Sequence, residues 1–265
     1  MGKSPKYYAP SVDTAARILD FLSRYETKRS TLSEISSALE INKSTCLRVL
    51  KTLEIHNLVY QETETLKYSL GVGTAVLGSR ASETLEYLAE IRQHLAELSE
   101  KTGLTTCFIQ RVSRKRLMIV AQHEGKDEPH VILSIGNKFP IIETSYGNWV
   151  LAYLEEGERE EILSEGLKQL TEYTITDLNK YRQNLEEIKK DGYLVSIDEY
   201  YLGISGFSFP VFDTRKELLG VIAAVGLTEA LEHEHIEKIT AEIRTFSQRF
   251  HMNRTGGLRF VGPNL

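Results

Sequence analysis

The chain has 265 residues, of which 41% are hydrophobic and 26% charged, and a formal net charge of −5. That is ordinary for a globular protein of about two domains, each with its own core, and no low-complexity segment or internal repeat stands out. No uncharged apolar run reaches the roughly 18 residues that a membrane span needs, and Met1 to Pro10 lacks the apolar core of a signal peptide, so the expected location is the cytoplasm.

In chain order, Ser11 to Tyr25 carries Val12, Ala15, Ile18, Leu19 and Leu22 on one stripe, with Ser11 as a candidate cap and Asp13 in the first turn. Thr31-Leu32-Ser33-Glu34 has capping-box spacing, so a second helix is expected to start at Thr31. Its apolar positions Leu32, Ile35, Ala38 and Leu39 share one face, and the pattern ends at Glu40-Ile41. Asn42 can cap a third helix running from Lys43 to about Asn57.

The faces of that third helix suggest a job. Cys46, Leu47, Val49, Leu50 and Leu53 point one way, and Ser44, Thr45, Arg48, Lys51 and Thr52 form the other side. Short hydroxyls in the first turn with cations one and two turns later suit the major groove, where helix N-termini reach base edges and cations meet phosphates. Leu58 to Glu62 and Leu66 to Leu70 then read as two strands joined by Thr63-Glu64-Thr65, the wing of a winged helix-turn-helix. Ser33, Asn42, Lys43, Ser44, Thr45, Arg48, Lys51 and Lys67 are the candidate DNA contacts. Residues 1–72 hold 10 Lys/Arg against 8 Asp/Glu, which is +2 and leaves −7 for the rest. So small a basic excess gives weak, salt-sensitive binding unless a dimer doubles the phosphate contacts.

Gly71, Gly73 and Gly78 suggest a domain boundary. From Glu83 to Lys101 an apolar repeat of Leu85, Leu88, Ile91, Leu95 and Leu98 marks a linker helix, stopped at Thr102-Gly103. Three strands are expected next, at 105–109, 117–120 and 130–133, with Gly136 to Pro140 breaking the pattern. Helices follow at Ser145 to Leu154, Glu158 to Ser164 and Asp177 to Lys190, then strands at Tyr193 to Asp198, Gly206 to Phe212 and Leu218 to Leu227. A final helix spans Glu232 to Phe250, and the tail from Met252 is expected to be flexible. This order implies an α+β domain with helices packed on an antiparallel sheet. The domain map is therefore 11–72, 73–102 (linker and dimerisation helix), 103–251 and 252–265.

Cys46 and Cys107 are far apart and expected to be reduced core residues. His233 and His235, two apart on a helix, point to different sides, so no metal site is expected. Asp198 and Glu199 are adjacent and would face opposite sides of a strand, and no nucleophile elbow or phosphate-binding loop occurs. Neither catalytic residues nor cofactors are assigned.

With these motifs placed, the chain resembles the IclR family of bacterial transcription regulators along residues 11 to 250. Lys43-Ser44-Thr45 with Arg48 and Leu50 is similar to the family's recognition helix, and Tyr68-Ser69-Leu70-Gly71 to the end of its wing. Pro140 to Gly147, Gly192-Tyr193, Asp198-Glu199, Gly203-Ile204 and Pro210-Val211 with Asp213 resemble its effector-domain segments. The resemblance implies an N-terminal winged helix-turn-helix, a linker helix and a C-terminal effector domain of GAF/PAS-like type, working as a homodimer or homotetramer. It implies binding to a double-stranded DNA operator, a small-molecule effector such as an organic acid or aromatic compound, and repression of catabolic genes in preference to activation. By the same resemblance Ser145, Tyr146, Gly147, Trp149, Ser196, Asp198, Gly206, Ser208, Ala223 and Val225 form the effector site. Ala223 and Val225 replace the hydroxyls, and Asn148 the Lys, of relatives that sense short 2-oxo acids, which favours a larger or less polar ligand. The alternative is a winged helix that docks a protein, with a second domain that only dimerises.

Overall fold

The computed structural model describes residues 7–213 and 215–252, in two units divided between Thr84 and Leu85. The expected tail after Met252 lies outside the described residues.

The first unit contains α1 (Pro10–Leu22), α2 (Leu32–Ala38), α3 (Lys43–Ile55), β1 (Val59–Gln61), β2 (Tyr68–Leu70) and α4 (Val72–Thr84). α1 begins one residue before the expected cap: Pro10 stands in its first turn, where the missing N–H costs nothing, and Ser11 is already helical. Thr31 forms the expected capping box, accepting the Glu34 N–H at 3.3 Å while Glu34 Oε2 accepts the Thr31 N–H at 2.6 Å. Asn42 caps α3 by accepting the Ser44 N–H at 2.9 Å. α3 stops at Ile55, two residues short of the expected end, and Asn57 turns the chain with a φ of 56°. The unit's core gathers Ile18, Phe21 and Leu22 with Ile35, Cys46, Leu50, Leu53, Val59 and Tyr68. Leu47 was expected on that side but is 39% exposed, because the buried stripe follows Cys46, Leu50 and Leu53. β1 and β2 pair antiparallel, Tyr60 opposite Ser69, and Ser30 adds a bridge to Tyr68.

The expected boundary at Gly71–Gly78 is replaced by a helix. α4 runs through Gly73 and Gly78, and a separate α5 (Glu86–Thr102) follows after Leu85 leaves helical geometry at ψ 61°. Residues 73–102 are thus two helices, and the second buries Leu88, Ile91, Leu95 and Leu98 in the core of its own unit.

The second unit also holds β3 (Thr105–Ser113), β4 (Arg116–His123), β5 (Lys138–Pro140), α6 (Ser145–Tyr153), α7 (Glu156–Leu163), α8 (Leu178–Asp191), β6 (Leu194–Ile197), β7 (Ile204–Phe212), β8 (Leu218–Leu227) and α9 (His233–Met252). The strands form one sheet in the order β5-β4-β3-β8-β7-β6, every pair antiparallel. On one face Phe108, Phe207, Phe209 and Ile222 pack with α5 and α9; on the other Cys107, Ile109, Leu117 and Ala223 pack with α6, α7 and α8. Because both faces are covered, the central strands are apolar almost throughout, as β8 shows. Residues 130–133 are not a strand. The place beside β4 is taken by β5, which falls in the stretch expected to break the pattern, and the 130–133 segment is tied to the sheet through the Thr105 hydroxyl, which donates to the Val131 carbonyl at 2.7 Å. Among the described residues no helix is long and apolar enough to cross a membrane.

Candidate functional site

In the first unit the candidate reading face is the start of α3. Lys43, Ser44 and Arg48 are exposed and Thr45 is half-buried. Lys43 and Arg48 have no side-chain partner among the described residues, so both are free to meet DNA. Three other candidates are already engaged. Asn42 Oδ1 accepts both the N–H and the hydroxyl of Ser44, the latter at 2.7 Å. Lys51 Nζ donates to Glu54 at 2.8 Å and to Gln61 at 3.0 Å, which ties α3 to β1. Lys67 is half-buried and near Glu34, whose carboxyl is held below its ordinary range first by the Thr31 backbone and side-chain bonds and then by this ammonium. Ser33 is exposed on α2, while the wing tip, Thr63 to Thr65, offers Glu64 and no cation.

In the second unit the sheet register builds a cavity. Ser196, Gly206, Val225 and Thr105 stand directly opposite one another across β6, β7, β8 and β3, forming one cross-strand row. The first three line a cavity of about 180 Å³, and Ile119 extends the wall. Ser145 and Tyr146 line it from the start of α6, whose N-terminus Thr144 caps by accepting the Gly147 N–H at 3.3 Å. Gly147 itself lets α6 sit this close: a Cβ there would lie 1.7 Å from the Ile141 carbonyl oxygen.

Five of the expected positions therefore share this wall: Ser145, Tyr146, Ser196, Gly206 and Val225. The other five stand away from it. Ser208 and Ala223 belong to the next row, two residues along each strand, which α6 covers: buried Trp149 donates its indole N–H to Ser208 Oγ at 2.9 Å. Gly147 is a packing position, and Asp198 holds a turn, its Oδ1 accepting the Gly203 N–H and the Thr228 hydroxyl, both at 2.8 Å. The sequence reading missed Val131, Leu133 and Phe139, which close one side, and Tyr200, Tyr201 and Ile204, which close another. Most of these are loop residues with no periodicity to betray them, but the Tyr200-Tyr201 pair after a strand was a visible signal.

A model of the IclR helix-turn-helix domain matches residues 11–63, and one of the bacterial transcriptional regulator IclR C-terminal domain matches residues 80–251. The chain belongs to the IclR family. It is similar to the HTH-type transcriptional repressor AllR of Salmonella typhimurium, 26% identical over 227 residues that cover 85% of this chain and 83% of AllR. The glycerol operon regulatory protein of Streptomyces coelicolor is 26% identical over 236 residues, 88% of this chain and 92% of that one. Among solved structures, an IclR transcriptional regulator from Alicyclobacillus acidocaldarius superposes with a TM-score of 0.84 at 33% identity, covering 93% of this chain and 99% of the other. The winged helix-turn-helix and the antiparallel α+β domain are thus those of IclR transcriptional regulators, and the named relatives are regulators of transcription, not enzymes.

Two polar groups back the cavity of this IclR-family chain. Ser196 Oγ donates to Glu199 Oε2 at 2.7 Å, and the Glu199 carboxyl is pushed above its ordinary range by burial, an effect the Ser196 bond opposes. The hydroxyls of Tyr200 and Tyr181 both donate to Asn148 Oδ1, at 3.0 and 2.6 Å. Burial keeps the phenols of Tyr146, Tyr181 and Tyr200 protonated, and raises the Cys107 thiol to about 12. Neither Lys, Arg nor His is among the described residues that line the cavity.

Proposed function

We propose that this chain is a ligand-responsive repressor of catabolic genes, acting in the cytoplasm as a dimer or a tetramer on an operator. Lys43, Ser44, Thr45 and Arg48 read the major groove, while Ser33, Asn42, Lys51 and Lys67 position α3 or meet phosphates. A small molecule in the sheet-face cavity sets the affinity for DNA. The observation that carries this reading is the presence, in one IclR-family chain, of unpaired cations on the exposed face of α3 and of a mostly apolar cavity in the second unit. Repression and catabolic targets are carried over from the names of AllR and the glycerol operon regulator. A second copy has a surface to use on α4, where Val72 and Val76, one helical turn apart, are 71% and 46% exposed.

The test is selection of bound DNA from random duplexes at a fixed, near-physiological salt concentration, since affinity depends on salt. A recovered palindrome or direct repeat supports a dimeric reader, and its half-site spacing measures the distance between two α3 helices. Recovery of no motif, with or without metabolite extract, would overturn the operator reading and favour a winged helix that docks protein.

A further inference from the structure

Resting on the reading that the first unit binds DNA, we propose that Lys3 and Lys6, ahead of α1, make a second DNA contact: an arm that neutralises backbone phosphates beside the groove entered by α3. This segment lies outside residues 11–63, the part that the helix-turn-helix domain model matches.

Charge is the first ground. Residues 9–72 hold 8 Lys/Arg against 8 Asp/Glu, so that stretch is neutral, and the whole basic excess of the first 72 residues is Lys3 and Lys6. Residues 1–8 contain no acid to offset them. Several cations further along are spent within the unit: Arg24 on Asp20 at 2.9 Å, Arg17 on the Leu39 carbonyl, and Lys51 on Glu54 and Gln61. Affinity for a duplex comes largely from cations that displace counterions from its phosphates, and a neutral stretch supplies little of it. A lysine ammonium is a point charge without the flat fork of a guanidinium, which suits it to phosphate.

Placement is the second ground. Ser11 and Val12 line one groove with Arg48, Val49 and Thr52, so the first turn of α1 flanks the residue proposed to read the bases. The Tyr8 hydroxyl bonds to the carboxylate of Asp13 in that same turn, which anchors the chain there before it leaves α1. Lys6 is two residues and Lys3 five residues ahead of Tyr8. Their backbones therefore reach at most about 7 and 17 Å from the anchor, against a major groove about 12 Å wide. Phosphates at the edge of a groove that holds α3 are within that range.

The experiment measures binding of the full chain and of a Lys3→Ala/Lys6→Ala variant to a duplex of random sequence and to the duplex recovered by selection, using fluorescence anisotropy over a salt series. Each phosphate contact contributes about 0.9 to the slope of log affinity against log salt, so the variant's slope should be shallower by about 1.8 per bound chain on both duplexes. Between roughly 50 and 200 mM salt the variant should thus lose about 12-fold less affinity per chain than the wild type. Both proteins should select the same motif, because phosphate contacts carry no sequence information. A Lys180→Ala/Lys238→Ala variant, which removes equal charge from the second unit, should keep the wild-type slope. An unchanged slope without Lys3 and Lys6, or an equal fall in the second-unit variant, would overturn the arm, and a shifted motif would overturn its assignment to phosphates. The random duplex needs no operator, so the two readings fail separately. A wild type that selects no motif, yet whose slope falls on loss of Lys3 and Lys6, keeps the arm and loses the operator; a selected motif with an indifferent slope keeps the operator and loses the arm.

Discussion

Arg48 is the residue on which the proposed base recognition turns. It is exposed, unpaired and one turn into α3, whereas Lys51 is held by Glu54 and Gln61. Arg48→Ala should cost about 1–3 kcal/mol of operator affinity and relax base preference at one position, while Lys43→Ala should weaken all sequences alike and lower the salt slope by about 1. Competition assays over a salt series separate the two; an unchanged affinity in both variants would remove α3 from the groove. Glu199 makes a second prediction. Burial holds its carboxyl above the ordinary range, so the folded chain binds that proton more tightly than the unfolded chain does. Its contribution to stability is full below the ordinary carboxylate range and fades as pH rises through the raised value. Glu199→Gln should therefore match the wild type at low pH and exceed it in urea midpoint near neutrality. A wild type that gains on the variant as pH rises would show that the carboxylate is stabilised instead.

The elements show which signals are local. Thr31, Asn42, Asp177 and the left-handed stops at Gly103 and Gly192 were readable because a cap satisfies backbone groups within one turn of itself. Thr31→Ala should accordingly cost about 0.5–2 kcal/mol, seen as a lower urea midpoint at an unchanged slope. Part of that loss should vanish in acid: the cap bonds hold Glu34 below its ordinary range, so its stabilisation is present above that range and disappears as pH falls. A cost that does not vary with pH would assign the cap to the threonine hydroxyl alone. Residues 130–133 failed as a strand for the opposite reason. Their apolar run is real, but strand status needs a free edge, and β5 occupies it. What reads as strand is loop, and Val131 and Leu133 become cavity wall. The same limit explains the site. The alternation along β6, β7 and β8 put Ser196, Gly206 and Val225 on one face, yet it put Ser208 and Ala223 there too. Only the position of Trp149 over the second row separates cavity from core.

At the scale of the whole molecule, the proposed DNA contacts and the cavity lie in different units with separate cores, so regulation through the cavity would be a coupling free energy between distinct sites. The hydrogen bonds suggest where a bound ligand would first be felt. Tyr200 at the cavity wall is bonded to Asn148 of α6, which also accepts Tyr181 of α8, and Ser196 of β6 is bonded to Glu199 in the loop that follows. A ligand bonding Ser196 or Tyr200 thus acts on α6, α8 and that loop together. Coupling of this kind is typically about 1–3 kcal/mol, or roughly 5–150-fold in affinity. Because it is thermodynamic it must be reciprocal: if ligand weakens operator binding by a given factor, saturating operator weakens ligand binding by the same factor. Titrating ligand into free protein and into the protein–operator complex gives that factor once, and titrating operator with and without saturating ligand, at the same salt concentration, gives it a second time. Equal factors above unity show that ligand and operator are coupled, and loss of the coupling with the ligand's affinity on Ser196→Ala would assign it to the cavity. Tight binding with a factor of one would leave the cavity a ligand site without control over transcription, since a ligand with equal affinity for two states shifts neither.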